Sequence, residues 1–447
     1  MKFRMPINRI SLLIVILSTF ISCQKKESIV VTPKDFTNSI DHLTQIIIHD
    51  IFSPPVASRI YCYPNIAAYE IIAQNSATYQ SLQHQINGLD SIPNMPKDAK
   101  INKNLAALIA HMEVSKQLIF SEELVVNYRD SLYSKWSTQN KEEFEVSKEY
   151  ALKVAERIIK WMGKDNYKQT RTMPKYSVFV AQEGRWQPTP PAYMDGIEPH
   201  WGKIRTMVID SASQFKPEPP HPFSTDKNSP FFKEVVEVYE TSKKIRSVGD
   251  NSEEIRIAQF WDCNPYVTVT QGHMMFAKKK ITPGGHWMGI TKVACFTDNA
   301  NFEKTVYANT ATSIGLFDAF ISCWDEKYRS NLVRPETVIN KYIDENWMPL
   351  LQTPPFPEHT SGHSVASTCS AVILSNIFGE QFTYVDDTEI AYGLPKRKFF
   401  SFKEAASEAA ISRFYGGIHY KKAIEKGITQ GGQVGEYIVK KIKFLKG

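Results

Sequence analysis

A chain of 447 residues, 42% hydrophobic and 22% charged, has the composition of a globular protein with room for more than one domain; an intrinsically disordered chain is excluded. Its formal net charge of +6 is mild for this length and is not gathered into a basic arm, so no nucleic-acid partner is expected. Six cysteines, at 23, 62, 263, 295, 323 and 369, form no C-x-x-C pair and no zinc spacing.

The N-terminus reads as an address. Lys2, Arg4 and Arg9 precede an apolar run, residues 10–21, too short to span a bilayer comfortably. The run stops at Cys23, and Gln24, Lys25 and Lys26 turn the chain polar. This resembles a bacterial lipoprotein signal, with residues 1–22 removed and Cys23 lipidated. The mature protein would then be extracytoplasmic, tethered to a bacterial membrane through its lipid rather than embedded in it. An ordinary signal peptide or an uncleaved anchor is the alternative. Residues 23–34 follow as a tether.

Residues 35–250 read as an N-terminal helical region. Ile40, Leu43, Ile47 and Ile48 recur at helical spacing within 35–52, and Ser53-Pro54-Pro55 breaks the chain. A second helix includes residues 66–72, with Pro64 near its first turn. Apolar positions from Leu105 to Phe120 and from Val146 to Met162 predict two more, the latter stopped at Gly163. From about 165 to 228 prolines interrupt every long element, but Trp186, Tyr193, Trp201 and Phe215 are interleaved. This predicts an ordered excursion packed over the helices, forming one wall of an entrance, rather than a solvated linker.

Helical patterning resumes near Phe231, and residues 251–447 form a C-terminal helical region. Its main elements are predicted at 252–260, 302–330, 364–378, 402–414 and 420–443, with a short strand at 265–270. Period-2 alternation is otherwise scarce, and the fold class is all-α, a helical bundle.

Three clusters in this second region carry chemistry. Lys327 and Arg334 are seven residues apart, a spacing that places both on one face of a single helix, ended by Pro335. Thr360-Ser361-Gly362-His363 follows a proline-rich approach and leads into a helix N-terminus, where free N–H groups favour an anion. Ser361 adds a hydroxyl, Gly362 a closely approachable amide, and His363 a group that exchanges protons near neutral pH. The third cluster is Ser412-Arg413, then Gly416-Gly417, whose turn can push His419 into a cavity. Taken singly, each reads equally well as a solvated basic face, an ordinary helix cap or a buried histidine.

In their order, Lys-x6-Arg-Pro, Ser-Gly-His and Ser-Arg-x5-His resemble the signature shared by vanadium-dependent haloperoxidases and type 2 phosphatidic acid phosphatases. The motifs cover residues 327–419. The resemblance implies a helical bundle holding vanadate or phosphate, with Lys327, Arg334, Ser361, Gly362 and Arg413 around the oxygens. It implies that His419 binds the central atom, the vanadium of vanadate, and that His363 acts as acid/base. Hydrogen peroxide and a halide are the implied substrates. A phosphate ester is the alternative, hydrolysed through a phosphohistidine at His419, and a non-catalytic oxyanion-binding envelope protein is the third reading. Two positions depart from the pattern: Thr360 replaces a proline, and Ala423 stands where the family has an aspartate that orients the last histidine. Asp318 or Asp325 are possible substitutes. His286, in Pro283-Gly284-Gly285-His286-Trp287, is either a turn over a packed aromatic or a lining of the entrance. Oligomeric state is not legible.

Overall fold

The computed structural model describes residues 27–446 except 97, 272, 273 and 278; the predicted signal segment and Cys23 lie outside the described residues. The N-terminal helices are α1 (Pro33–His49), α2 (Pro54–Ala73), α3 (Lys103–Lys116), α4 (Glu122–Gln139), α5 (Lys141–Met162), the single turn α6 (Tyr167–Thr170) and α7 (Pro230–Val248). Then come α8 (Glu253–Phe260), α9 (Pro283–Thr297), α10 (Phe302–Ser330), α11 (Pro335–Tyr342), α12 (Gly362–Phe378), α13 (Phe402–Tyr415) and α14 (Lys421–Lys441). Two antiparallel ribbons complete the fold, β1 (Thr268–Gln271) with β2 (Met274–Ala277) and β3 (Tyr384–Asp386) with β4 (Arg397–Phe399). The all-α expectation holds.

Side-chain caps start most helices, as their sequences dictate. Thr32 and Asp35 close a capping box on α1, and Ser53 caps α2 with Pro54 and Pro55 in its first turn. Helix α2 therefore begins at Pro54, and Pro64 lies in its interior rather than in the first turn of a later helix. Every residue of α2 is buried, and packing on all sides outweighs the proline's local cost. The segment Pro283–Thr297 is also a helix and not a turn: Thr282 accepts from the Gly285 N–H, and Pro283 sits in the first turn.

The principal hydrophobic core draws on α1–α5, on α9 and α10, and on α12–α14 alike, while Val338 and Ile339 of α11 pack in a second cluster. Helix α10 runs through it, with Ala308, Ile314, Leu316 and Phe317 fully buried. Helix α14 packs against α12 along a stripe of small residues. A Cβ on Gly427 would lie 2.8 Å from that of Ser364, and one on Gly431 would lie 2.3 Å from the Val365 carbonyl oxygen.

The excursion at 165–228 is ordered by specific contacts. Asp318 on α10 accepts from the N–H groups of Met207, Val208 and Ile209 at 2.6, 2.7 and 3.0 Å. Trp324 Nε1 and the Tyr328 hydroxyl donate to the Ile197 carbonyl at 3.1 and 2.6 Å. Trp186 and Trp201 are wholly buried. The excursion backs α10, and it contributes no residue to the cavity described next, contrary to its expected place at the entrance.

Candidate oxyanion site

The three clusters meet at one narrow cavity. Gly362, His363, Arg413 and His419 line it, together with Cys263, Asn264 and an apolar wall that includes Pro54, Phe320, Trp324 and Phe356. Lys327, Arg334 and Ser361 are fully buried beside it.

Lys327 and Arg334 do not share a helix. Helix α10 ends at Asn331, whose positive φ of 51° breaks the helical path, and Arg334 is the N-cap of α11. Pro335 begins α11 instead of ending the previous element, as its fixed φ and missing N–H favour. The Lys327 ammonium donates to the carbonyls of Pro357, Glu358 and Thr360 at 3.0, 3.1 and 2.5 Å, strapping the loop before α12. Burial pushes its pKa down to about 7, and the neighbouring Arg334 acts in the same direction.

Ser361 is the N-cap of α12. Its oxygen accepts from the Ser364 N–H at 3.3 Å, which leaves the hydroxyl hydrogen free. Its own N–H donates to the Ala423 carbonyl at 3.0 Å, so Ala423 anchors the loop through its backbone. After α13 the chain turns at Gly417, whose φ of +76° L side chains rarely adopt; a Cβ there would also meet Trp347 at 3.2 Å. That turn delivers His419.

His419 is held from both sides. Arg334 Nη1 lies 3.1 Å from Nε2, and Nδ1 lies 2.7 Å from Glu358 Oε1. A guanidinium only donates, so Nε2 is the acceptor and the ring proton sits on Nδ1, directed at the carboxylate. Burial first, then Arg334, Lys327 and Arg413, hold His419 well below the usual histidine range, so the ring is neutral. His363 is held low by burial and by Arg413.

Glu358 is the residue that sequence reasoning missed. Its Oε1 accepts both His419 Nδ1–H and the Tyr420 N–H, the latter at 2.9 Å. Burial raises its pKa to about 8, against the pull of Arg334 and Lys327. It takes the place expected of an aspartate at Ala423. Asp318 is committed to the excursion, and Asp325 pairs with Arg329 on the same helix; neither substitutes. The available signal was a lone acid in Pro357-Glu358-His359, three residues before Ser361 in an otherwise basic set. His286 does not line the cavity: it is buried against Asp386 and Glu389.

Two buried guanidinium donors in this site lack a partner among the described residues, Arg334 Nη2 and Arg413 Nε; the buried His363 Nε2 also has none. Arg413 is otherwise fixed by the Trp261 carbonyl, 2.9 Å from Nη1. Leaving buried charged donors unpaired is costly, and a tetrahedral oxyanion beside His419 Nε2 would satisfy them. The donor set therefore fits vanadate.

The model of the VCPO second helical-bundle domain matches residues 308–446. The crystal structure of the first bacterial vanadium-dependent iodoperoxidase is 58% identical, covering 95% of this chain and 100% of that one, with a TM-score of 0.91. Holo-type and apo-type structures of a bacterial vanadium-dependent chloroperoxidase share the fold at 16% identity, with TM-scores of 0.64 and 0.62; they cover 88% and 87% of this chain and 93% and 95% of theirs. No curated protein matches. Fifty-eight per cent identity over nearly the whole of both chains means that this chain belongs to the vanadium-dependent haloperoxidases.

Proposed function

We propose that this haloperoxidase holds vanadate at His419 and oxidises iodide with hydrogen peroxide. The observation that carries the reading is the pair of buried, unpartnered guanidinium donors on Arg334 and Arg413 beside a neutral His419 whose Nε2 is unprotonated and accepts from Arg334. Bound vanadate supplies the Lewis-acidic centre at which peroxide becomes reactive toward a halide. Arg334, Arg413 and Lys327 balance the anion's charge, while the Ser361 hydroxyl and Gly362 N–H donate to its oxygens. Glu358 keeps the His419 proton on Nδ1, so Nε2 stays unprotonated and would bind the metal once it exchanges its contact with Arg334. His363, neutral and half-buried at the cavity, takes and returns protons.

Iodide is favoured by the apolar wall of Pro54, Phe320, Trp324 and Phe356, which suits a large, weakly hydrated anion that gives up electrons readily. The similar iodoperoxidase structure supports the same choice. The test loads the purified protein with orthovanadate and assays peroxide-dependent oxidation of iodide, bromide and chloride beside hydrolysis of a phosphomonoester. Vanadate-dependent iodide oxidation, abolished in His419→Ala, is the expected result. Phosphate release inhibited by vanadate, without halide oxidation, would replace this reading with the phosphohistidine reaction.

The same chain is proposed to work outside the cytoplasm, lipidated at Cys23. What supports this is the basic and apolar run ending at that cysteine. Mass spectrometry of the mature N-terminus checks it: a diacylglyceryl Cys23 is expected, and an intact Met1 refutes it. The division into regions 35–250 and 251–447 is proposed as one of chemistry, the second region carrying every motif residue.

A further inference from the structure

Behind the wall of the anion cavity lies a second cluster of ligating groups. Cys263, just after α8, His286 on α9 and Glu389, in the turn after β3, are all buried. One ligand atom of each lies within 4.8 Å of the other two. Cys263 Sγ is 3.4 Å from His286 Nδ1, and Glu389 Oε1 is 3.1 Å from the same nitrogen. Beyond that contact with His286 the carboxylate oxygen has no hydrogen-bond partner, although Glu389 is only 6% exposed. A thiol and a carboxylate oxygen, both buried and both within reach of one imidazole nitrogen, bring three metal-ligating groups to one point.

We propose that Cys263, His286 and Glu389 bind a zinc-class divalent cation, separate from the vanadate site. Thiolate, imidazole and carboxylate are the donor types zinc takes in tetrahedral sites, and three protein ligands leave a fourth position for water. Charge closes as well: one thiolate and one carboxylate offset a divalent ion. Binding releases the Cys263 thiol proton to solvent, together with the His286 Nδ1 proton where the ring carries one. The outer shell is already in place. His286 Nε2 lies 2.8 Å from Asp386 Oδ2, and Asp386 Oδ1 accepts from the N–H and hydroxyl of Thr388 at 3.0 and 2.7 Å. A carboxylate on the far nitrogen fixes the ring so that Nδ1 faces the ion. The Trp261 indole stacks on His286 at 4.4 Å and 17°. A surface cleft is lined by Gly285, Thr388 and Ile390, the chain neighbours of His286 and Glu389. No spacing rule detects this site, because its ligands come from three separated segments.

The ion would tie together three segments that support the anion cavity. Cys263 lines that cavity, and the Trp261 carbonyl two residues earlier holds Arg413. Zinc here is a positioning element and takes no part in halide oxidation.

The test uses the full purified chain and reads metal, so it is independent of vanadate and of any halide. Elemental analysis is expected to find about one zinc per chain. Chelation followed by titration with Co2+ is expected to give a thiolate-to-cobalt charge-transfer band in the near ultraviolet. Cys263→Ser is expected to abolish the band. Asp386→Asn, which keeps the three ligands, is expected to weaken zinc binding by roughly 10- to 100-fold. Wild-type protein that retains no zinc and shows no charge-transfer band with Co2+ overturns the proposal. A band of undiminished strength in Cys263→Ser overturns it too.

Discussion

At His419 two neighbours decide one proton. Arg334 can only donate, so Nε2 accepts, and the proton is left on Nδ1 for Glu358. The cations, the hydroxyl and the histidines were legible as clusters in the sequence; the acid behind His419 was not. A search four residues past the histidine meets Ala423, whereas Glu358 is 61 residues earlier and arrives only when the loop before α12 packs against the Gly417 turn. Glu358→Gln keeps the shape and an acceptor oxygen but replaces the acid that polarises the ring with a weaker acceptor. Vanadate affinity and iodide turnover should both fall by roughly 10- to 100-fold, as for other carboxylates behind ligand histidines. Equal dissociation constants for the variant and the wild type, from vanadate titrations, would show that Glu358 only packs. Lys327 supplies a pH test. With no anion bound its pKa is about 7, because burial disfavours the ammonium. A bound anion favours the ammonium and raises that pKa. Affinity is therefore insensitive to this group below pH 7 and declines above it, by up to about tenfold per pH unit, until the bound-state pKa is reached. Vanadate's own protonation is common to wild type and Lys327→Met, so the ratio of their dissociation constants isolates the lysine. A ratio constant from pH 6 to pH 9, measured in about one-unit steps, would refute the assignment.

Among the elements, those with one apolar face were the readable ones. Helices α1, α5 and α14 carry such faces, and their predicted and observed spans differ by a few residues. Helix α4 was invisible because it buries only Val125 and Trp136, too few to set a period. Helix α9 failed for the opposite reason: it is buried nearly all round at its start, and Pro283-Gly284-Gly285 reads as a turn. The close packing of α12 on α14 is set by glycines whose role a pattern of apolar residues does not reveal. At Gly431 two effects compete. Alanine gains roughly 1 kcal/mol of helix propensity, but its Cβ would stand 2.3 Å from the Val365 carbonyl oxygen, and a backbone atom cannot turn aside. Overpacking at about 1–3 kcal/mol should win, so Gly431→Ala destabilises the protein in urea unfolding. Because α12 begins at Ser361 and Gly362, the displacement should also weaken vanadate binding. A variant at least as stable as the wild type would mean that the helices part without cost.

Across the whole molecule, the C-terminal end of the described chain is sewn to its N-terminal helices. The two regions separated by chemistry share one core, and residues after α14 return to the N-terminal helices. Phe444 O accepts from the Tyr69 hydroxyl at 2.8 Å and from the Gln80 N–H at 2.8 Å; the Lys446 N–H donates to Thr78 O at 2.9 Å. Leu445 bridges to Tyr79. No periodicity in so short a tail could announce this, since the partners lie more than 360 residues earlier in the chain. Ile442 and Phe444 are 3% and 8% exposed, and burying each contributes about 1.5–3 kcal/mol. Removing residues 442–447 forfeits both and leaves the Gln80 N–H without its acceptor, while Tyr69 keeps a bond to Gln80 O at 2.9 Å. Against a typical net stability of about 5–15 kcal/mol, that is a large fraction. The truncated protein should therefore melt several degrees lower. The loss should concentrate where α2 ends, seen as faster hydrogen exchange at residues 76–82. Helix α14 retains its glycine stripe against α12, so at temperatures where the truncated chain stays folded its vanadate affinity should match the full chain. An unchanged melting temperature would show that the tail rests on the core without supporting it.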